Sequence, residues 1–207
     1  MEKPQKASGF TIIELLVASA VFSVVLVIVM ATFIQVSRIF YKGVNMSNTQ
    51  DDTRNALTSI ASDIQFASNT PATVDSGSGG SGTFCVGTHL YAYYTDHQVG
   101  SSNPAGIYRE DGNTSVCPPS FDITKAEQML GNGMQLNYLH IDCDGTICHL
   151  NTHVIFYGGT PDGLFASASN PGSSTPWNEA DADCTGALTS SQYCATADFK
   201  RTVLQRI

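Results

Sequence analysis

A single carboxylate, Glu14, stands at the head of a stretch that is otherwise apolar as far as Ile34. From Leu15 to Ile34 only Ser19, Ser23 and Thr32 dilute the Leu, Ile, Val, Phe, Met and Ala side chains. Taking an ionisable group out of water into lipid costs about 2.5 to 3.5 kcal/mol even on lenient insertion scales, so such a group is kept for a purpose. The chemistry open to it is ion pairing with an ammonium partner that shares the low-dielectric surroundings.

A second set of reactive residues lies downstream. All six cysteines, Cys85, Cys117, Cys143, Cys148, Cys184 and Cys194, follow the apolar stretch. An even number confined to one region predicts disulfides in an oxidising compartment. Pairing between sequence neighbours is the simplest arrangement: Cys143 with Cys148 around Asp-Gly-Thr-Ile, Cys184 with Cys194, and Cys85 with Cys117. Six cysteines allow fifteen connectivities and sequence alone does not choose among them, Cys143 with Cys148 being the firmest of these pairs. His140, Cys143, Cys148, His149 and His153 also crowd together as metal ligands would. No Cys-x-x-Cys knuckle is present, and oxidation removes the thiolates that zinc needs, so no metal and no cofactor are expected. Asp142, Asp144 and Gly145 resemble the opening of a calcium loop without its closing Glu, and Asp144-Gly145 reads better as a hairpin turn. Ser, His and Asp occur without a Gly-x-Ser-x-Gly elbow or a His-Glu-x-x-His pair, and no catalytic residues are assigned.

These residues need elements to hold them. The apolar run, as a helix rising about 1.5 Å per residue, is roughly 30 Å long, the thickness of a hydrocarbon core. No Pro or Gly interrupts residues 10–42, and after Gly43 the positions Leu57, Ile60, Ala61, Ile64 and Ala67 recur on one helical face. The pattern predicts one long helix whose first half stands in lipid or in an assembly and whose second half leans on a globular core. Asn69 to Pro71 ends it, and Ser76 to Gly82 reads as a Gly/Ser loop. Strands are expected over Thr83 to Thr95, Gly106 to Glu110, Gln135 to Asp142, Ile147 to Tyr157 and Phe199 to Ile207, with turns at Thr160 to Gly163 and Asn170 to Pro176. Tyr91, Tyr93, Tyr94 and Trp177 form either core or an adhesive patch, and strand spacing favours core.

The region beyond the span is long enough for one domain with its own core. From Gly43 onward it carries six Lys and Arg against sixteen Asp and Glu. A surface of that sign repels phosphate, so nonspecific nucleic-acid binding lacks its usual driving force and no nucleic-acid partner is expected for this domain. Lys200, Arg201 and Arg206 are the exception and read as strand-edge charges.

The leader Met1 to Gly9, with Lys3 and Lys6, followed by Phe-Thr-Ile-Ile-Glu and an apolar helix, resembles the prepilin signature of type IV pilins and type II secretion pseudopilins. The resemblance implies cleavage between Gly9 and Phe10 by a prepilin peptidase on the cytoplasmic side and methylation of the new amino group of Phe10 by an N-methyltransferase. It places Glu14 fifth in the mature chain, against the ammonium of a neighbouring subunit. Ala18-Ser19-Ala20 also resembles a secretory cleavage site, but cutting there would leave Val21 to Met30 as an exposed apolar tail. Lys3 and Lys6 nearly balance Arg38 and Lys42, so orientation follows from the leader rather than from charge.

The implied fold is α+β and pilin-like, a long N-terminal helix with a C-terminal antiparallel β-sheet domain. The implied organisation is a leader over 1–9, a transmembrane and assembly segment over 10–42, an amphipathic helix over 43–70 and an extracytoplasmic disulfide-containing domain over 71–207. Looser similarity to W-type minor pilins and J-type minor pseudopilins runs through Asp51, Arg54, Leu57, Ile60, Asp63 and Ile64, then Gly106 to Arg109, Met129 to Leu139 and Arg201 to Arg206. Many major pilins carry a Pro in the membrane half of the helix, and none is present here. The function implied is a filament subunit, a minor pilin at initiation or at the tip. It would sit in the inner membrane by one helix before assembly and at the cell surface after it, with other pilin subunits and the pilus assembly machinery as partners. The alternatives are a secretion pseudopilin and a monomeric membrane-anchored binding protein.

Overall fold

The computed structural model describes residues 10–76, 80–95, 97–112, 120–157 and 194–206. The chain divides into two compact units, Met1–Phe40 and Tyr41–Ile207. Helix α1, Ile12–Phe66, begins in the first and ends in the second.

In the first unit the side chains of α1 are exposed, and the segment is long and apolar enough to cross a membrane by length and composition. The three hydroxyls up to Ile34 do not break the apolar surface. Ser19 Oγ donates to the Leu16 carbonyl, Ser23 Oγ to the Ser19 carbonyl and Thr32 Oγ1 to the Val29 carbonyl at 2.8 Å, so each is satisfied within its own helix.

In the second unit α1 buries Thr49, Thr53, Ala56, Leu57, Ile60, Ala61 and Ile64, a stripe at three- and four-residue spacing. Among the described residues, eight strands form two antiparallel sheets. The first has the order β1 (Val74–Asp75), β6 (Met134–Asp144), β7 (Ile147–Tyr157), β8 (Cys194–Leu204). The second has the order β2 (Ser81–Val86), β3 (His89–Tyr94), β4 (Gly106–Asp111), β5 (Glu127–Gln128). One core joins them: Leu57, Ile60 and Ile64 of the helix, Tyr91 and Ile107 of the second sheet, and Leu136, Leu139, Ile141, Leu150 and Val154 of the first. The fold is α+β and pilin-like.

The strands follow the hydrophobic alternation, with differences that have local causes. The stretch expected as one strand over Thr83 to Thr95 is the hairpin β2–β3, because Gly87 adopts φ +58° and reverses the chain. Ser81 and Gly82, read as loop, join β2 by pairing with Tyr94 and Tyr93. Strand β8 starts earlier and stops earlier than expected, with Gln205 leaving the sheet to bond elsewhere. Strands β1 and β5 have two residues each, too short to produce a period. The Asp144-Gly145 turn stands as read, with Gly145 at φ +62° between β6 and β7. The turns at Thr160 to Gly163 and Asn170 to Pro176, and Trp177, lie outside the described residues.

Candidate functional site

The helix start is built by Thr11-Ile12-Ile13-Glu14. Thr11 N donates to Glu14 Oε2 at 3.1 Å and Thr11 Oγ1 donates to the same oxygen at 3.0 Å, while Glu14 N approaches Thr11 Oγ1 at 3.4 Å. This is a capping box, in which the two residues satisfy each other's orphan groups and fix where the helix begins. Phe10 precedes it, outside the helix and exposed. The sequence signal for it is a Thr followed three residues later by Glu before an apolar run, a signal distinct from the pairing role expected of Glu14. Gly9 lies outside the described residues.

The outer domain holds the cysteines. Cys143 and Cys148 face each other across the β6–β7 pair and are disulfide-bonded, with Cα atoms 4.0 Å apart. Cys85 and Cys194 are also disulfide-bonded. The partners expected for them, Cys117 and Cys184, lie outside the described residues.

Strand register places His140, His149 and His153 on the face of the first sheet opposite Leu139, Ile141 and Leu150. His149 Nδ1 lies 3.1 Å from Thr202 Oγ1, and His153 is buried, its imidazole held below the usual histidine value by desolvation against an opposing pull from Asp198. Among the described residues no group of three or more His, Cys, Asp or Glu side chains gathers around a point that could hold a metal ion. The sulfurs of Cys143 and Cys148 are bonded to each other.

Among the described residues of the outer domain, the most connected polar group brings together side chains far apart in the sequence. Asp63, with its side chain 15 % exposed, accepts a hydrogen bond from the Tyr91 hydroxyl at 2.5 Å and lies 3.1 Å from His89 Nδ1 and 3.6 Å from Arg109 Nε. Arg109 also reaches Asp111 at 3.2 Å and donates to Ser59 Oγ at 3.3 Å. The guanidinium lies 3.0 Å from His89 Nε2, which fits an imidazole accepting there and donating from Nδ1 to Asp63. Burial, then the bond to Asp63, pushes the Tyr91 hydroxyl far above its ordinary value, so it stays a donor. Arg109 and Asp111 come from β4, His89 and Tyr91 from β3, and Ser59 and Asp63 from one face of α1 a turn apart. The group clamps helix to sheet. Tyr91 is core, fully buried and stacked on Phe84 at 5.1 Å between centroids, whereas Tyr94 stands edge-on to Tyr108 at 5.9 Å.

Beside the clamp lies a cleft of ≈ 550 Å³ lined by residues that include Ser62, Asp63, Phe66, Val86, Thr88 and His89. Asp63 and His89 are already engaged with each other and with the clamp, an arrangement suited to holding a helix rather than to moving a proton in a substrate.

Residues 4–30 match the family described as the prokaryotic N-terminal methylation motif, which supports the type IV pilin and pseudopilin family. No curated protein and no solved structure matches the chain.

Proposed function

We propose that this chain, which carries the N-terminal methylation motif of type IV pilins and pseudopilins, is a structural subunit of a type IV pilus-like filament and acts as a minor pilin in initiation or at the tip. The observation that carries the reading is one carboxylate, Glu14, at the start of an apolar helix in which every other polar side chain up to Ile34 is satisfied by its own backbone. Cleavage between Gly9 and Phe10 by a prepilin peptidase creates an ammonium on Phe10, which an N-methyltransferase modifies. In a helical bundle the ammonium of one subunit meets the Glu14 carboxylate of the next, and each desolvated charge finds its opposite. Thr11 occupies Oε2 of Glu14 in the single chain. The neighbour's ammonium then completes a charge already anchored to the helix start.

The family is structural rather than enzymatic, and its members work by packing. An apolar helix and this motif suit a membrane-anchored pilin. The subunit waits in the inner membrane as a single-pass protein and is drawn into a surface filament by the pilus assembly machinery. The looser W-type similarity and the absence of Pro from the membrane half of α1 support the minor role. A secretion pseudopilin uses the same packing and is the second reading, favoured by the motif being common to both.

Mass spectrometry of sheared surface filaments tests the proposal by reporting the mature N-terminus, its methylation and the abundance of the chain. The expected result is methylated Phe10 at trace abundance relative to another pilin. Replacing Glu14 with Ala is expected to lower incorporation at least tenfold at unchanged membrane abundance. A mature chain starting elsewhere, or incorporation indifferent to Glu14→Ala, leaves the helix as a simple tether and refutes the filament reading.

A further inference from the structure

The cleft beside the clamp is lined by polar groups that the fold leaves uncommitted. All three contacts of the Asp63 side chain fall on Oδ2, which meets the Tyr91 hydroxyl at 2.5 Å, His89 Nδ1 at 3.1 Å and Arg109 Nε at 3.6 Å. Among the described residues its other oxygen, Oδ1, has no partner, and Asp63 lines the cleft. Ser62, Ser68 and Thr88 line it too, and among the described residues none of their hydroxyls is hydrogen-bonded. Phe66, the last residue of α1, is a further lining residue. It takes no part in the core and is 69 % exposed.

The walls that carry these groups are held in place. Gln205 Nε2 donates to the Ala67 carbonyl at 2.8 Å and Arg206 N to the Gln65 carbonyl at 2.9 Å, which ties the end of α1 to the chain leaving β8. The turn between β2 and β3 lies against the same helix end, since a Cβ added at Gly87 would come 3.6 Å from Ala67 Cβ. Gly112 N donates to the Thr88 carbonyl at 3.0 Å. Groups fixed in this way lose little freedom when a ligand arrives. The volume of ≈ 550 Å³ falls within the range of about 300 to 1,000 Å³ common to small-molecule sites.

The donors and acceptors select the ligand. An ionised carboxylate oxygen only accepts, so Asp63 Oδ1 rejects phosphate or carboxylate and calls for a donor. Arg109 and His89 already share the charge of Asp63, which leaves little to hold a bare cation. Hydroxyls both donate and accept, and three of them suit a ligand with several groups of the same kind. The electron-rich face of an exposed aromatic ring attracts weakly positive C–H bonds. A neutral sugar ring offers both, with hydroxyls around its rim and C–H bonds on its face. We propose that this cleft binds a neutral saccharide. One sugar hydroxyl donates to Asp63 Oδ1, others exchange hydrogen bonds with Ser62, Ser68 and Thr88, and the C–H face rests on Phe66. The site goes beyond the filament reading and does not depend on it.

Saturation-transfer NMR on the full chain, solubilised in a detergent without a sugar headgroup, tests it. The probes are maltose and N,N′-diacetylchitobiose, with tetramethylammonium and inorganic phosphate as the charged comparisons. At least one disaccharide is expected to bind in the millimolar range, and neither ion. Phe66→Ala and Thr88→Val, both outside the clamp, are each expected to weaken binding at least tenfold at an unchanged melting temperature. Ser62→Ala, at an exposed helix position that tolerates Ala, is expected to weaken it at least threefold and keeps the test open should Thr88→Val disturb the turn. Failure of both disaccharides to bind overturns the proposal. Disaccharide binding that Phe66→Ala and Ser62→Ala leave intact overturns it as well, and so does a preference for either ion. Because the measurement is made on the solubilised chain, these outcomes are read apart from whether the protein enters filaments.

Discussion

Replacing Asp63 with Ala removes the acceptor at the centre of the clamp, and the structure sets the size of the effect. The Tyr91 hydroxyl loses its hydrogen bond inside a residue with no exposed surface, and an unsatisfied buried donor costs about 1 to 3 kcal/mol. Arg109 loses one of two carboxylates but keeps Asp111 at 3.2 Å and Ser59 at 3.3 Å, so the full penalty of stranding a buried charge, about 3 to 5 kcal/mol, does not apply. The expected loss is about 2 to 4 kcal/mol. For a domain of this size that lowers the melting temperature by roughly 5 to 15 °C. Circular dichroism of the detergent-solubilised full chain measures it. Tyr91→Phe is expected to cost less, about 1 kcal/mol, because Asp63 retains His89 and Arg109. The double variant should fall short of the sum by 1 kcal/mol or about that, since both changes break the same bond. A loss below about 1 kcal/mol for Asp63→Ala, or strict additivity in the double variant, would refute the claim that the carboxylate holds helix to sheet.

Three further outcomes are expected. Gly106 has φ +81°, and an added Cβ would lie 3.0 Å from Gln128 Nε2 and 3.0 Å from Val99 Cγ2, so Gly106→Ala should cost about 2 to 3 kcal/mol, and an unchanged denaturant midpoint would contradict this. Removing the Cys143–Cys148 bridge by paired Ser substitution opens a loop of sequence separation 5 and is expected to cost about 2 kcal/mol, well below what a long-range bridge would give; chemical denaturation under oxidising conditions checks it. His153 is held below its ordinary 6.5 by burial, so the unfolded chain takes up the proton first. Stability should therefore be level above pH 6.5 and decline as the pH falls below it toward the lower folded-state value. His153→Gln should flatten that decline, and identical pH slopes in parent and variant would count against it.

Much of this protein is written locally. The position of Glu14 before an uninterrupted apolar run, the helical recurrence of Leu57, Ile60, Ala61 and Ile64, and the Asp144-Gly145 turn between two β-patterned segments all depend on neighbours within a few residues. Periodicity and turn chemistry record such relations directly, so the long helix, the strand-rich domain and the Cys143–Cys148 pair were legible. The capping box is equally local, written in Thr11 and Glu14 three residues apart before an apolar run. Strands β1 and β5 were invisible for the opposite reason: two residues cannot show a period, and only pairing with β6 and β4 makes them strands.

What the amino-acid sequence determined by itself is the apolar span with its one acid, because hydrophobic length and the cost of an unpaired charge are properties of consecutive residues. What tertiary structure alone decided is which distant side chains meet. Asp63 joins Tyr91 and Arg109 across separations of 28 and 46 positions, and Arg201 reaches Thr58 across 143. Nothing in the spacing of those residues announces them as partners. They meet because burying the helix stripe against two sheets fixes the register of β3, β4 and β8, and the polar groups at the margins of that contact then pair where the packing brings them.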